Sequence, residues 1–553
     1  LLTGAQIIIK ALIEQGVDAV FGYHGGYVIN IYDELYKSSD KITHYTTCHE
    51  QGACHAADGY ARVTGKPGVV IATSGPGATN LVTGIANAYL DSVPLVAITG
   101  NVPTNMLGRD SFQEVDISGV TMPITKHNYL VKDITRLADT FRDAFALARS
   151  GRPGPVLIDI PKDVQLGTAE YEPAAPVPEK TSVSCLDRET LEKAAALIAE
   201  AKRPYIYCGG GVINADASGE MMAFADLIDA PIGLSIMGLT AVPYTHPRFL
   251  GMVGMHGRYG ATKALYESDL LIAVGVRFSD RATGNKSEFT KNRKVIQIDI
   301  DPAEINKNIG VNASLIGDVK CVLNALIGLI RKKENPEWMS RIRHMKEHPD
   351  NNLEMSPARM TPQSVIEGAC RKNGGNVVAT DVGQHQMWTT QYYQFSKPRT
   401  FVTSGGLGAM GFGMGAAIGA CIGKGFQRTL LFTSDGSFHM NMNELATAVS
   451  NNLPIVIVVL NNNALGMVRQ WQTLFFDGRY SNTTPDRKTD YVRLAEAFGA
   501  KGFRAETNDQ YEKCLAEAFA CDGPALIECV IDSNERVLPM IPAGGSINDI
   551  ILR

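Results

Sequence analysis

What this 553-residue chain lacks narrows it first. It has no CxxC pair, and its 10 cysteines are scattered, among them Cys185, Cys208, Cys321, Cys370 and Cys421. A disulfide framework is not built that way; reduced, mostly buried thiols are, so a cytoplasmic location is expected. A basic excess is absent as well. The net charge is −5, without a stripe for nucleic acid or a polybasic patch for a lipid surface, so neither partner is expected. Long Leu- and Ile-rich runs are also missing. The uncharged stretch 405–423 is rich in Gly and Ala, which predicts a packed internal helix rather than a membrane span. The opening residues, LLTGAQ, carry neither a Met nor a basic region with an apolar core, and read as the trimmed start of a domain.

What is present is ordinary globular material, 45% apolar and 20% charged, over a length that calls for several domains. A Pro-rich stretch at 171–182 and a charged one at 331–357 read as connectors. The predicted fold class is α/β, with domains at 1–170, 183–335 and 358–553, each a mainly parallel sheet flanked by helices. The first and third blocks echo one another. VVIATSGPGATNLVTGIANAYLDSVPLVAITGN starts at Val69 and LLFTSDGSFHMNMNELATAVSNNLPIVIVVLNN at Leu430. Both read as strand, Ser/Gly turn, helix, proline and second strand. Ligands gather at the carboxyl ends of such strands, so the turns at 74–79 and 434–438 are the first candidates.

The second turn carries the clearer chemistry. Asp435 ends one strand and Asn462 the next, which puts a carboxylate and an amide oxygen at one sheet edge. Hard oxygen ligands there suit Mg2+, which takes its remaining ligands from phosphates and water. Gly436 and Ser437 open a helix N-terminus toward a phosphate. Elsewhere, CHEQGACHAADGYAR (48–62) holds two Cys-His pairs around Glu50. Its pairs are contiguous and no second ligand group stands far along the chain, which argues against structural zinc. Gly406-x-Gly408-x-x-Gly411 is a dinucleotide fingerprint, weak alone, that leaves a nicotinamide dehydrogenase as a rival reading.

The Asp-Gly turn with its distant Asn resembles the thiamine diphosphate motif, with Ser434 in place of the usual first glycine. The likeness then extends along nearly the whole chain to the acetohydroxyacid synthase (acetolactate synthase) catalytic-subunit family. It is carried by SGPGATNLVTGIANAYLDSVPLVAITG, FQEVDISGVTMPITKH, GRPGPVLIDIPKD, GQHQMW, TSGGLGAMGFG, ALGMVRQWQ and LPMIPAGGSIND. The resemblance implies three cofactors: thiamine diphosphate, Mg2+ and FAD. Glu50 would activate the aminopyrimidine, with burial favouring its protonated form. Asp435, Asn462 and the Ala464 carbonyl would hold Mg2+, with Gly383, Gln384, His385, Gly436 and Ser437 near the diphosphate. Gly408 and Met410 would cradle the aminopyrimidine, with a bulky apolar residue wedging the cofactor into its bent form and Met467 nearby. In the middle block, Arg152, Gly209, Gly210, His256, Gly257, Arg277, Asp299 and Asp318 would hold FAD, without a net redox role.

Phe112, Gln113 and Lys162 would line the substrate entrance, Arg281 would anchor the carboxylate, and Trp471 would favour 2-ketobutyrate. The implied reaction decarboxylates pyruvate and joins the two-carbon unit to a second pyruvate or to 2-ketobutyrate. That is a step toward branched-chain amino acids. A homodimer or homotetramer and a small regulatory subunit are implied with it. Relatives with other outcomes, an FAD-dependent pyruvate oxidase or a 2-ketoacid decarboxylase, remain rivals. Three positions depart from the family: His24 stands for the usual Pro, Tyr27 for a small Ala, and Cys48 for Arg. Tyr27 is expected to narrow the access channel.

Overall fold

The computed structural model describes residues 1–176, 187–347, 359–485 and 487–552. Three six-stranded sheets dominate, and within each every neighbouring pair of strands is parallel. The first runs Thr43–Thr46, Ala19–Gly22, Gly68–Ala72, Leu95–Asn101, Pro155–Pro161, His127–Leu130 across the sheet. The third runs Phe401–Val402, Val378–Thr380, Thr429–Ser434, Ile455–Asn461, Ala525–Val530, Lys501–Ala505. Numbered along the chain within each sheet, both have the order 2-1-3-4-6-5. The echo between the two blocks is therefore one of topology as well as of pattern. Even the break in the helix repeats: Pro76–Thr79 then Val82–Asp91 in one, Asp435–Asn441 then Glu444–Ser450 in the other.

The central sheet differs. Its strands Phe249–Met252, Ile232–Leu234, Pro204–Cys208, Leu270–Val274, Lys294–Asp299 and Ala313–Ile316 have the order 3-2-1-4-5-6. That is the doubly wound order that binds dinucleotides where strand order reverses. The fingerprint glycines at 406–411 lie elsewhere, after the edge strand Phe401–Val402 of the third sheet. The dehydrogenase reading loses its structural context there.

Central strands such as Val69–Ala72 and Ile455–Leu460 are buried on both faces, as their unbroken β-branched runs require. The uncharged segment does form an internal helix, Gly413–Gly423, which packs on Glu50–Thr64. The two backbones nearly touch: a Cβ on Gly419 would fall 1.7 Å from the Ala56 carbonyl oxygen, and one on Gly59 2.2 Å from that of Ala416. One apolar cluster, including Ala53, Ala56, Phe412, Ala416 and Leu431, thus spans the first and third domains.

The connector reading of 331–357 needs correcting where the chain is described. Pro336–Lys346 is a helix whose Trp338, Ile342 and Met345 are buried, and the Trp338 indole donates to the Pro204 carbonyl at 2.9 Å. Their i, i+4, i+7 spacing is a helical stripe masked by the charges around it. Of the Pro-rich connector, residues 177–182 lie outside the described residues, while Tyr171 and Ala174 donate to Glu14 of the first domain.

Candidate active site

Glu50 is the first residue of its helix, where the N-terminal dipole faces it, and is 9% exposed. His49 caps that helix by accepting from the Gln51 amide through Nδ1 (3.1 Å), and Asn80 Nδ2 donates to Glu50 Oε2 at 2.9 Å. The four Cys and His residues nearby have separate neighbours. The Cys48 thiol lies 3.8 Å from Thr447 Oγ1, Cys54 packs at Gly84, and the His55 ring is 5.1 Å from that of Phe412. Among the described residues no three His, Cys, Asp or Glu side chains gather as a metal would need.

The other first-domain candidates surround Tyr27. Its amide donates to Thr73 Oγ1 (3.3 Å), its carbonyl accepts from Gln165 Nε2 (2.8 Å), and its hydroxyl donates to the Phe112 carbonyl (3.3 Å). Lys162 Nζ sits 5.8 Å from the Tyr27 ring centroid. Gln113 has φ +60° and its backbone packs against Gly75, while the Phe112 side chain is 79% exposed. Glu114 organises this loop by accepting from the amides of Gly108, Arg109 and Ser111. Tyr27 thus joins the strand-end turn at Thr73 to the loop that carries Phe112 and Gln113.

In the third sheet Ser434 pairs in register with Leu460, so Asp435 and Asn462 follow at neighbouring strand ends. Ser434 itself caps the helix Asp435–Asn441 by accepting from the Ser437 amide (3.3 Å), a role the usual glycine could not fill. Asp435 Oδ1 is buried without a partner, and burial pushes the carboxyl up to about 6. An orphaned carboxylate oxygen beside an amide oxygen fits a hard cation. Asn462 Nδ2 donates to Gln384 Oε1 at 3.2 Å, and its own Oδ1 accepts from the Ala464 amide at 3.2 Å. His385 is buried, and burial pushes its pKa down to about 3, so its ring is neutral beside the Asp381 main chain.

A cavity of about 1570 Å3 runs where all three domains meet, with Arg62, Asp91 and Ser92 of the first domain in its wall. Gly210, His256, Arg277, Asp299 and Asp318 line it at the central sheet and Arg152 from the first domain, with Gly383, Gly408, Met410, Met467, Trp471 and Arg281 toward the third. Asp299 ends its strand, and burial raises its carboxyl to about 6. Asp318 caps the helix Val319–Leu329 through the Cys321 amide (3.0 Å), and Arg152 pairs with Glu304 at 2.9 Å. Gly209 and Gly257 are outside the lining; a Cβ on Gly209 would meet the Gly275 carbonyl oxygen and one on Gly257 that of Met252. Among the described lining residues, none of Glu50, Phe112, Gln113, Lys162 and Asp435 appears.

Sequence reasoning missed three buried carboxylates that shape these loops. Asp381 accepts from the amides of Gly411 (2.8 Å) and Gly413 (2.9 Å), and burial raises it to about 6. Asp91 of the first domain accepts from Gly405 and Gly406 of the third (3.1 and 2.7 Å) while pairing with Arg62. Glu444 accepts from Cys48 and His49 in the opposite direction. Asp381 could have been found from its strand-end position before GQHQMW. The other two act across more than 300 residues, and no local signal marks them.

Comparison with known proteins agrees with this architecture. Residues 2–120, 191–326 and 381–529 match the family models for the N-terminal TPP binding, central, and C-terminal TPP binding domains of thiamine pyrophosphate enzymes. The acetolactate synthase large subunit of Corynebacterium glutamicum is 45% identical over 99% of this chain and 90% of its own length. The acetolactate synthase of Mycobacterium bovis is 44% identical over 99% and 91%, and the large subunit from Buchnera aphidicola subsp. Schizaphis graminum 42% over 100% and 99%. The chain belongs to the acetolactate synthase large-subunit family of thiamine pyrophosphate enzymes.

Proposed function

We propose that this chain is the catalytic subunit of an acetolactate synthase. It decarboxylates pyruvate and joins the remaining two carbons to a second pyruvate or to 2-ketobutyrate. The products are acetolactate and acetohydroxybutyrate, precursors of valine, leucine and isoleucine. The observation that carries the reading is Asp435, with its orphaned Oδ1, at the strand end beside Asn462. Thiamine diphosphate, when bound, supplies the carbon nucleophile and the electron sink. Asp435, Asn462 and the Ala464 carbonyl would hold Mg2+, and Gly383, Gln384, His385, Gly436 and Ser437 would lie toward the diphosphate. Gly408 and Met410, with Met467 nearby, would seat the pyrimidine, and Glu50 would be the residue that hydrogen-bonds its ring nitrogen and exchanges a proton there.

FAD takes the cavity end at Arg152, Gly210, His256, Arg277, Asp299 and Asp318, with Gly209 and Gly257 behind the wall; the 3-2-1-4-5-6 sheet supports this. Arg281 binds the ketoacid carboxylate and Trp471 sets the size of the second substrate. Phe112, Gln113 and Lys162 come from another copy of the chain, which supports a homodimer or a larger assembly: these residues do not line the cavity that Arg281 and Trp471 share. A small regulatory subunit rests on family likeness alone; the domain limits 1–170, 183–335 and 358–553 rest on the composition of the stretches between them, and the helix Pro336–Lys346, packed on the central domain through Trp338, favours moving the second limit past 346. No helix among the described residues is long and apolar enough to cross a membrane.

Incubation with pyruvate, thiamine diphosphate, Mg2+ and FAD is expected to yield acetolactate. Acetaldehyde alone, or acetyl phosphate with peroxide, would overturn the assignment in favour of a decarboxylase or an oxidase.

A further inference from the structure

Glu444 opens the helix Glu444–Ser450 of the third domain and is fully buried. Its carboxylate reaches into the first domain. Both oxygens accept from the Cys48 amide (3.2 and 3.1 Å), Oε1 accepts from the His49 amide (3.0 Å), and Oε2 accepts from Thr447 Oγ1 (2.7 Å). Among the described residues no Lys or Arg forms an ion pair with it; burial raises its pKa while these donors hold it down. Gly52 leaves the space for this approach, since a Cβ there would fall 2.3 Å from Glu444 Oε1.

The two amides it holds belong to the residues immediately before Glu50. A carboxylate hydrogen-bonded to successive backbone N–H groups is a strong, directional anchor. We propose that Glu444 is a positioning residue that fixes the start of the Glu50 helix, and with it the direction of the Glu50 carboxyl. The grip is on the main chain and does not depend on the Cys48 side chain, since changing that side chain leaves its N–H in place. The role rests on the thiamine reading, because only there does the direction of Glu50 matter.

The test uses the full-length protein carrying Glu444→Gln and, separately, Gly52→Ala, which displaces the carboxylate without removing it. In protein without cofactor, amide exchange over residues 48–52 is expected to quicken roughly tenfold or more as these charge-assisted bonds are lost. In loaded protein, exchange of the thiamine diphosphate C2 proton is expected to slow by about tenfold, while cofactor affinity shifts by less than about threefold. If Glu444→Gln does not fold, Gly52→Ala alone decides. Unchanged amide exchange overturns the proposal, and so does a loosened segment with normal C2 exchange. A parallel collapse of affinity and thermal midpoint would reduce Glu444 to a structural residue and overturn it as well. A wild-type chain that fails to accelerate C2 exchange overturns instead the thiamine reading beneath it.

Discussion

At the scale of single residues, buried carboxylates do most of the shaping. On the proposed function Glu50 is the one aimed at chemistry, and Glu50→Gln keeps the Asn80 contact and the shape while removing the transferable proton. This variant is expected to bind thiamine diphosphate within about threefold of wild type yet lose more than about 99% of acetolactate formation, read by titration and product assay. Asp159 offers a different test. Thr99 Oγ1 and Asn101 Nδ2 donate to it at 2.7 and 2.5 Å, yet burial still raises its carboxyl to about 7. A folded-state pKa above the unfolded value means that the folded chain binds the proton more tightly. This contribution to stability is full below about pH 4 and is lost as pH rises to about 7. Asp159→Asn is expected to flatten that part of the melting-temperature profile between pH 4 and 7. Much of the residue-level site was legible: the Asp435–Asn462 spacing needs only two parallel strands to become a geometry. Glu444 and Asp91 were not, because each grips backbone N–H groups, and any residue supplies those.

Among elements, the crossing of Glu50–Thr64 and Gly413–Gly423 is the most demanding. Its small residues bring two main chains together, so the helix that carries Glu50 is referenced to the third domain rather than to its own sheet alone. Gly419→Ala would press a methyl against the Ala56 carbonyl and is expected to cost about 1–3 kcal/mol, seen as a lower unfolding midpoint with the cavity residues intact. The charge-free composition of 405–423 predicted burial but not the partner, since Gly and Ala mark closeness without naming what is close. The helix Pro336–Lys346 shows the opposite failure. Its apolar stripe was present at helical spacing, and composition alone gave it away to a connector.

For the molecule as a whole, the proposed function divides the cofactor residues among two like sheets and one unlike one. If Glu50 of one copy serves Asp435 of another, two inactive chains should repair each other. Mixing Glu50→Gln with Asp435→Asn and allowing subunits to exchange is expected to restore about a quarter of wild-type turnover, because half the dimers then hold one intact site of two. Recovery near zero would put both residues in the same subunit's site. The matching 2-1-3-4-6-5 orders were foreshadowed by the repeated strand–turn–helix pattern, whereas the arrangement of copies leaves no trace in one chain's spacing. The helix crossing also bears on how a ketoacid gets in. With no room for even a methyl between Gly419 and the Ala56 carbonyl, sliding of the first domain against the third at this crossing would meet main chain. On the proposed function, admission and release would then fall to surface loops, chiefly the one around Phe112 that the Tyr27 hydroxyl latches, a gate made by the breathing of a loop rather than by the opening of a cleft.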